Sequence, residues 1–224
     1  GFSYFTEMSD IINRLEDHVA SARMKTTPVI DFEKNESLKG LDYLDTIYHA
    51  IVNEHPIQLK YRSFKARSAN SFIFYPYLLK EYRNRWFVYG VRGNGRILQN
   101  LALDRIQSLE VLPQEHYIKN TFFDPNTFFD DLVGVTKNTG SVAEKVGFKV
   151  AAAEAPYIIT KPIHRSQQVV ERLADGSVIL EIEVVINHEL ERVFFGYAEG
   201  IQVLYPKTLV ELMGRKLKKA AEQY

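Results

Sequence analysis

The sequence has no cysteine, which excludes a disulfide framework and thiolate metal sites and fits a reducing compartment. It has a single tryptophan, and its 28 basic side chains are matched by 28 acidic ones, so the average charge gives no reason to expect a polyanionic partner. No run approaches the roughly 20 apolar residues that a membrane span requires, and no signal-peptide pattern opens the chain. A membrane partner is therefore not expected, and a cytoplasmic location is. Asn35-Glu36-Ser37 matches a glycosylation sequon, with nothing else pointing to secretion. A chain that opens on Gly1 rather than Met reads as a fragment, with sequence expected upstream. What is present is ordinary for a soluble globular protein: 224 residues, 46% hydrophobic and 25% charged, enough for one large domain or two small ones.

Met8, Ile11, Ile12, Leu15 and Val19 recur at helical spacing, so residues 4–22 read as an amphipathic helix within a helical linker, 1–37. A second helix carries Leu41, Leu44, Ile47, Tyr48 and Ile51 on one face and stops before His55-Pro56. The period then becomes two. Ile57, Leu59 and Tyr61 alternate with Gln58, Lys60 and Arg62, which predicts a half-buried strand with a basic outer face. Residues 71–82, 85–91 and 96–112 read as further strands, with Gly93-Asn94-Gly95 turning a hairpin between the last two. A helix followed by consecutive short strands predicts a small curved sheet or barrel over 38–113. Residues 114–144 lack a sustained period and read as a connector. Over 145–224 the pattern is mixed: strands at 147–153 and 177–185, a helix ending at Gly200, a short strand at 201–205 and a final helix. The fold class is α+β.

The neutral total hides a local asymmetry. Between Ile57 and Arg96 stand nine basic residues, one acid (Glu81) and ten aromatics. Arginines can meet phosphates and rings can stack on bases, at roughly 1–3 kcal/mol per base, so this stretch suits a nucleotide or single-stranded nucleic acid. Equally, the aromatics can fill a core while the basic residues solvate strand faces. Alternation puts Trp86 and Val88 on one face of their strand and Phe87 and Tyr89 on the other, without saying which face is core.

Catalysis is not expected. The six histidines are scattered, His188-Glu189 lacks the second histidine of a zinc helix, and no nucleophile elbow or P-loop occurs. Neither a metal nor a cofactor is expected. Asp124, Asp130 and Asp131 read as loop and cap residues. His164-Arg165-Ser166-Gln167-Gln168 is a polar knot that reads as caps and turns, or as part of a composite site if it faces the basic surface.

Arg85-Trp86-Phe87-Val88-Tyr89-Gly90 resembles the signature of the WYL-domain transcriptional regulators, with the name-giving triplet on Trp86, Phe87 and Val88. Pro76-Tyr77-Leu78-Leu79 before it and Leu103-Asp104-Arg105-Ile106 after it fit the same family. So do, further on, Pro162-Ile163-His164-Arg165-Ser166-Gln167, the Asp175-Gly176 turn and Gly200-Ile201-Gln202-Val203-Leu204-Tyr205-Pro206, which resemble its C-terminal extension. The resemblance implies a small Sm/SH3-like β-barrel that senses a ligand, followed by an α+β extension domain. It also implies a winged helix-turn-helix upstream, outside this chain, that contacts promoter DNA, with residues 1–37 as the linker to it. Two positions depart: Gln99 stands where many members have arginine, and Phe87 replaces a tyrosine.

Together these readings give a ligand-sensing region, expected to be homodimeric, that takes a nucleotide or single-stranded effector. Arg62, Lys80, Arg85, Arg92 and Arg105 are the candidate phosphate contacts, though Arg105 beside Asp104 also reads as a structural ion pair. Tyr61, Tyr77, Tyr82 and Tyr89 are the candidate stacking or hydrogen-bonding groups, with His164 a possible addition. The competing reading is a dimerisation module with no small ligand, whose basic patch only assists attraction to DNA.

Overall fold

The computed structural model describes residues 40–93, 95 and 97–224; the expected linker helix at 4–22 lies outside them. A 3-10 turn, Leu41–Tyr43, leads into helix α1, Leu44–Val52, which buries Ile47 and Ala50. The chain leaves α1 through Glu54 at φ 54° and enters strand β1, Ile57–Tyr61, where Ile57, Leu59 and Tyr61 are buried and Lys60 is exposed as the alternation requires.

Strand β2 (Asn70–Tyr82), β3 (Arg85–Arg92), β4 (Gln99–Ala102) and β5 (Ile106–Val111) complete a five-stranded antiparallel sheet in the order β4-β3-β2-β1-β5. Two features re-aim its side chains. The β2–β3 ladder shifts between Pro76 and Leu78; proline cannot donate to a ladder, and a bulge is where a strand tolerates one. Ahead of the bulge Phe72 and Phe74 face the core, and beyond it Leu79 does. The β2–β3 turn is Arg83-Asn84, both left-handed at φ 50° and 59°, with the Glu81 carboxylate accepting from the Asn84 amide at 2.6 Å.

Two expectations change here. The single strand expected over 96–112 is broken by a second 3-10 turn, Leu103–Arg105, which buries Leu103. The expected barrel closure is also not seen: among the described residues no ladder joins the two edge strands, β4 and β5. The 3-10 turn that connects them supplies no strand backbone for such a ladder. Trp86 packs against the core that contains Val88, and Tyr89 on the opposite face is buried as well, so both faces of β3 are covered.

The second half is a four-stranded antiparallel sheet, β7-β8-β6-β9, built from β6 (Glu144–Val150), helix α2 (Ala155–Thr160), β7 (Gln168–Arg172), β8 (Val178–Val184), helix α3 (His188–Gly196) and β9 (Ile201–Tyr205). This is a split β-α-β-β-α-β arrangement. Helix α4, Lys207–Ala221, packs beside β9 and buries Leu209 and Met213. The core joins Val146, Phe148, Leu180, Ile182, Leu190 and Phe194. Strand β7 was missed in the sequence because all five of its residues are exposed, so Gln-Val-Val-Glu-Arg shows no alternation. The exit from α3 also differs from expectation: the left-handed residue is Ala198, at φ 45°, rather than Gly200.

Candidate functional site

Between Lys60 and Tyr61 the β1 ladder with β5 slips, and the Arg62 amide donates to the Arg105 carbonyl at 3.1 Å. That bond holds residues 62–64 against the 3-10 turn Leu103–Arg105. Between the two runs lies an open cleft of about 300 Å³ lined by Arg62, Ser63, Phe64, Asp104, Arg105, Ile106 and Gln107. Phe64 is 75% exposed, and the Arg105 guanidinium sits 4.4 Å from its ring centroid. Asp104 aligns two arginines, with Oδ2 3.4 Å from Arg85 Nε and Oδ1 3.9 Å from Arg105 Nε. Asp104 Oδ1 and Arg105 Nε are buried without a hydrogen-bond partner. Three guanidinium groups (Arg62, Arg85 and Arg105) against one carboxylate leave the cleft with surplus positive charge.

This arrangement can bind an anion and a flat ring together. Arginines present a planar fork of donors, and an exposed aromatic offers a stacking surface. Among the described residues no group of three or more histidine or acidic side chains is placed to hold a metal, and none of their helices is long and apolar enough to cross a membrane.

The residues singled out in the sequence do not gather at one place. Arg62 and Arg105 line the cleft, and Arg85 joins it through Asp104. Tyr61 lies in the core just behind; burial raises its pKa, and the Arg105 charge partly offsets this. Arg92 lies over the Phe72 ring at 4.1 Å, and Lys80 over Phe129 at 4.7 Å. Tyr82 is half-buried under Arg83 at 5.4 Å, and burial raises its pKa. Tyr77 is buried, stacks on Phe122 and has its hydroxyl pushed up to about 12, mainly by burial. Tyr89 is 2% exposed among Phe123, Phe128 and Phe129 and donates to the Val135 carbonyl. His164 is buried, with Nδ1 2.7 Å from Ser166 Oγ. Its neighbour Arg165 pairs with Asp130 at 2.6 Å, and Gln167 accepts from Ile163 N and donates to Ile158 O. The polar knot is thus a set of caps and bridges, and His164 does not line the cleft.

Sequence reasoning passed over Phe64, Asp104 and Gln107. The available signal was Phe64 itself, an aromatic past the end of β1 inside Arg62-Ser63-Phe64-Lys65-Ala66-Arg67, where the alternation no longer calls for a core residue.

Comparison with known proteins matches residues 42–111 to the WYL domain and residues 143–221 to the WCX domain. No curated protein matches the chain in sequence. Among solved structures the chain is similar to proteasome accessory factor B/C (PafBC) of Arthrobacter aurescens, with 15% identity and a TM-score of 0.39 over 92% of this chain and 31% of that one. It is also similar to a CRISPR Cas-related protein, with 13% identity and a TM-score of 0.47 over 80% of this chain and 50% of that one. The chain therefore spans half or less of the length of these two structures.

Proposed function

The chain is a WYL-domain protein with a WCX domain following, and from that premise we propose that it is the ligand-sensing region of a transcriptional regulator. The effector is anionic, a nucleotide or a short single strand. Two of its phosphates meet Arg62 and Arg105, and its base stacks on the open face of Phe64. Binding shifts the arrangement of protomers and so moves a DNA-binding domain upstream, a coupling of free energy between two sites. The observation that carries this reading is the 75% exposed Phe64 ring backed by the Arg105 guanidinium. An exposed aromatic of that size at a positively charged cleft is costly to leave bare and useful to cover.

The test is fluorescence anisotropy of labelled short single-stranded DNA and RNA across a salt series. Two phosphates held in the cleft give a log-log salt slope of about −1.4, from about 0.7 per phosphate on a single strand. Phe64→Ala is expected to weaken binding about tenfold or more with the slope unchanged, because it removes stacking and leaves charge. A steeper slope, with Phe64→Ala indistinguishable from the parent, would instead mark diffuse attraction.

The second reading, a dimerisation module without a small ligand, draws support from β7. This edge strand is exposed along its length, with Val169 43% and Val170 57% exposed, and bare edges are natural pairing surfaces. Sedimentation of the parent against Val170→Lys separates the two: a dimer lost in the variant with effector binding retained confines β7 to assembly.

A further inference from the structure

Four residues of the segment between the sheets, Val133–Thr136, are gripped from both sides. From the first sheet, Tyr89 on β3 donates its hydroxyl to the Val135 carbonyl, and Asn100 on β4 donates to the same oxygen at 2.8 Å. From the second, Asn187, the N-cap of α3, donates to the carbonyls of Val133 at 3.0 Å and Thr136 at 2.9 Å. The Asn187 side-chain oxygen meanwhile accepts from the Leu190 amide at 2.9 Å. Thr136 donates to Glu189 on α3 at 2.7 Å. Tyr89, Val133, Val135, Asn187 and Glu189 are all buried, so the bonds from Tyr89 to Val135 and from Asn187 to Val133 are shielded from water and expensive to leave unmade.

The backbone is committed as well. Gly134 stands at φ +92°, and a Cβ there would lie 2.5 Å from Glu189 Cγ. Only glycine meets both demands at once. A connector that merely joined two domains would need neither this close approach nor carbonyls taken by side chains from opposite sides.

We propose that Val133–Thr136 is a clasp that makes the WYL sheet and α3 of the WCX domain move together. The two strands that hold it do not line the cleft but connect to it: Arg85 on β3 pairs with Asp104 of the cleft at 3.4 Å. Arg85 and Tyr89 lie on the same face of β3, and β4 runs directly into the Leu103–Arg105 turn. A displacement of that turn is handed through Asn100 to Val135 and from there to the cap of α3. This coupling holds whatever the cleft binds, so it stands apart from the effector reading.

The cysteine-free sequence allows a direct test, because nitroxides can be placed at exposed Ser108 on β5 and exposed Glu199 after α3 through Ser108→Cys and Glu199→Cys alone. Asn187→Asp retains the cap oxygen, which aspartate supplies as well as asparagine, and replaces the donors to Val133 and Thr136 with an acceptor oxygen that repels both carbonyls. Tyr89→Phe combined with Asn100→Ala removes both donors to Val135 and cuts the grip from the other side. In the parent, pulsed electron-electron resonance should give one narrow distance distribution. Each variant should broaden it, and amide exchange across 133–136 should quicken roughly tenfold for two lost bonds, with the far-ultraviolet circular dichroism unchanged. Should Asn187→Asp fail to fold, the Tyr89→Phe, Asn100→Ala double variant decides alone. A distribution as narrow in the folded variants as in the parent would overturn the clasp.

Discussion

At the scale of single residues, what a side chain does here is set by where its strand places it. Trp86 gives its ring to the core, Tyr89 gives its hydroxyl to the connector, and Phe64, which belongs to no strand, stays in water. Period two could put Trp86 and Tyr89 on opposite faces but could not say that both faces are covered, because the covering comes from Phe123, Phe128 and Phe129, far along the chain. His164 offers a residue-scale test. Burial, reinforced by the neighbouring Arg165 charge, holds its pKa below the ordinary 6.5, against the opposing pull of Asp130 and Asp131. A lowered histidine pKa means that the unfolded chain binds the proton more readily than the fold. Its contribution to stability is complete above about pH 6.5 and is lost as the pH falls through the lowered value. Thermal midpoints measured from pH 7.5 to 5 are expected to decline in the parent and to decline less in His164→Gln. Equal declines would place the sensitivity elsewhere.

At the scale of elements, the sequence was most legible where one face is buried and the other wet. β1, β8 and β9 alternate cleanly and lie within a residue or two of where period and turn signals put them. It was least legible where that asymmetry fails. β7 is exposed on both faces, the 3-10 turn Leu103–Arg105 carries strand-like residues on either side, and the bulge at Pro76 exchanges the faces of β2 part-way along. The turn at Arg83-Asn84 was hidden for a different reason. Its backbone is the left-handed pair that usually selects Asn-Gly, yet it is built from an arginine and an asparagine. Replacing both, Arg83→Asn with Asn84→Gly, should relieve that conformation and raise stability by about 1 kcal/mol. Chemical denaturation reads this directly, as a higher midpoint with the slope unchanged. A lower midpoint would mean that the Arg83 side chain over Tyr82 contributes more than the turn conformation costs.

At the scale of the whole molecule, the candidate site was half legible. Charge density points to residues 57–96, of which Arg62 lines the cleft, while its partner there, Arg105, stands beyond that stretch. Elsewhere in the stretch, Arg92 lies over Phe72, Lys80 over Phe129 and Arg83 over Tyr82. Composition counts charges along the chain, and a bulge, a 3-10 turn and a connector folded back over β3 then decide which of them share a surface. The same connector forms the proposed clasp, which no local pattern announced, since its carbonyls are matched by Asn100 and Asn187, one well before it in the chain and one well after.

One measurement bears most directly on the cleft as the effector site: anisotropy binding of a short labelled single strand to Arg62→Ala and Arg92→Ala, side by side at moderate salt. Each variant removes one positive charge from the same sheet, and only Arg62 lines the cleft. A loss of about tenfold for Arg62→Ala, worth one charge-assisted contact, with Arg92→Ala close to the parent, is the expected result. Equal losses in both variants would contradict it, because binding would then follow the charge of the whole sheet rather than a site.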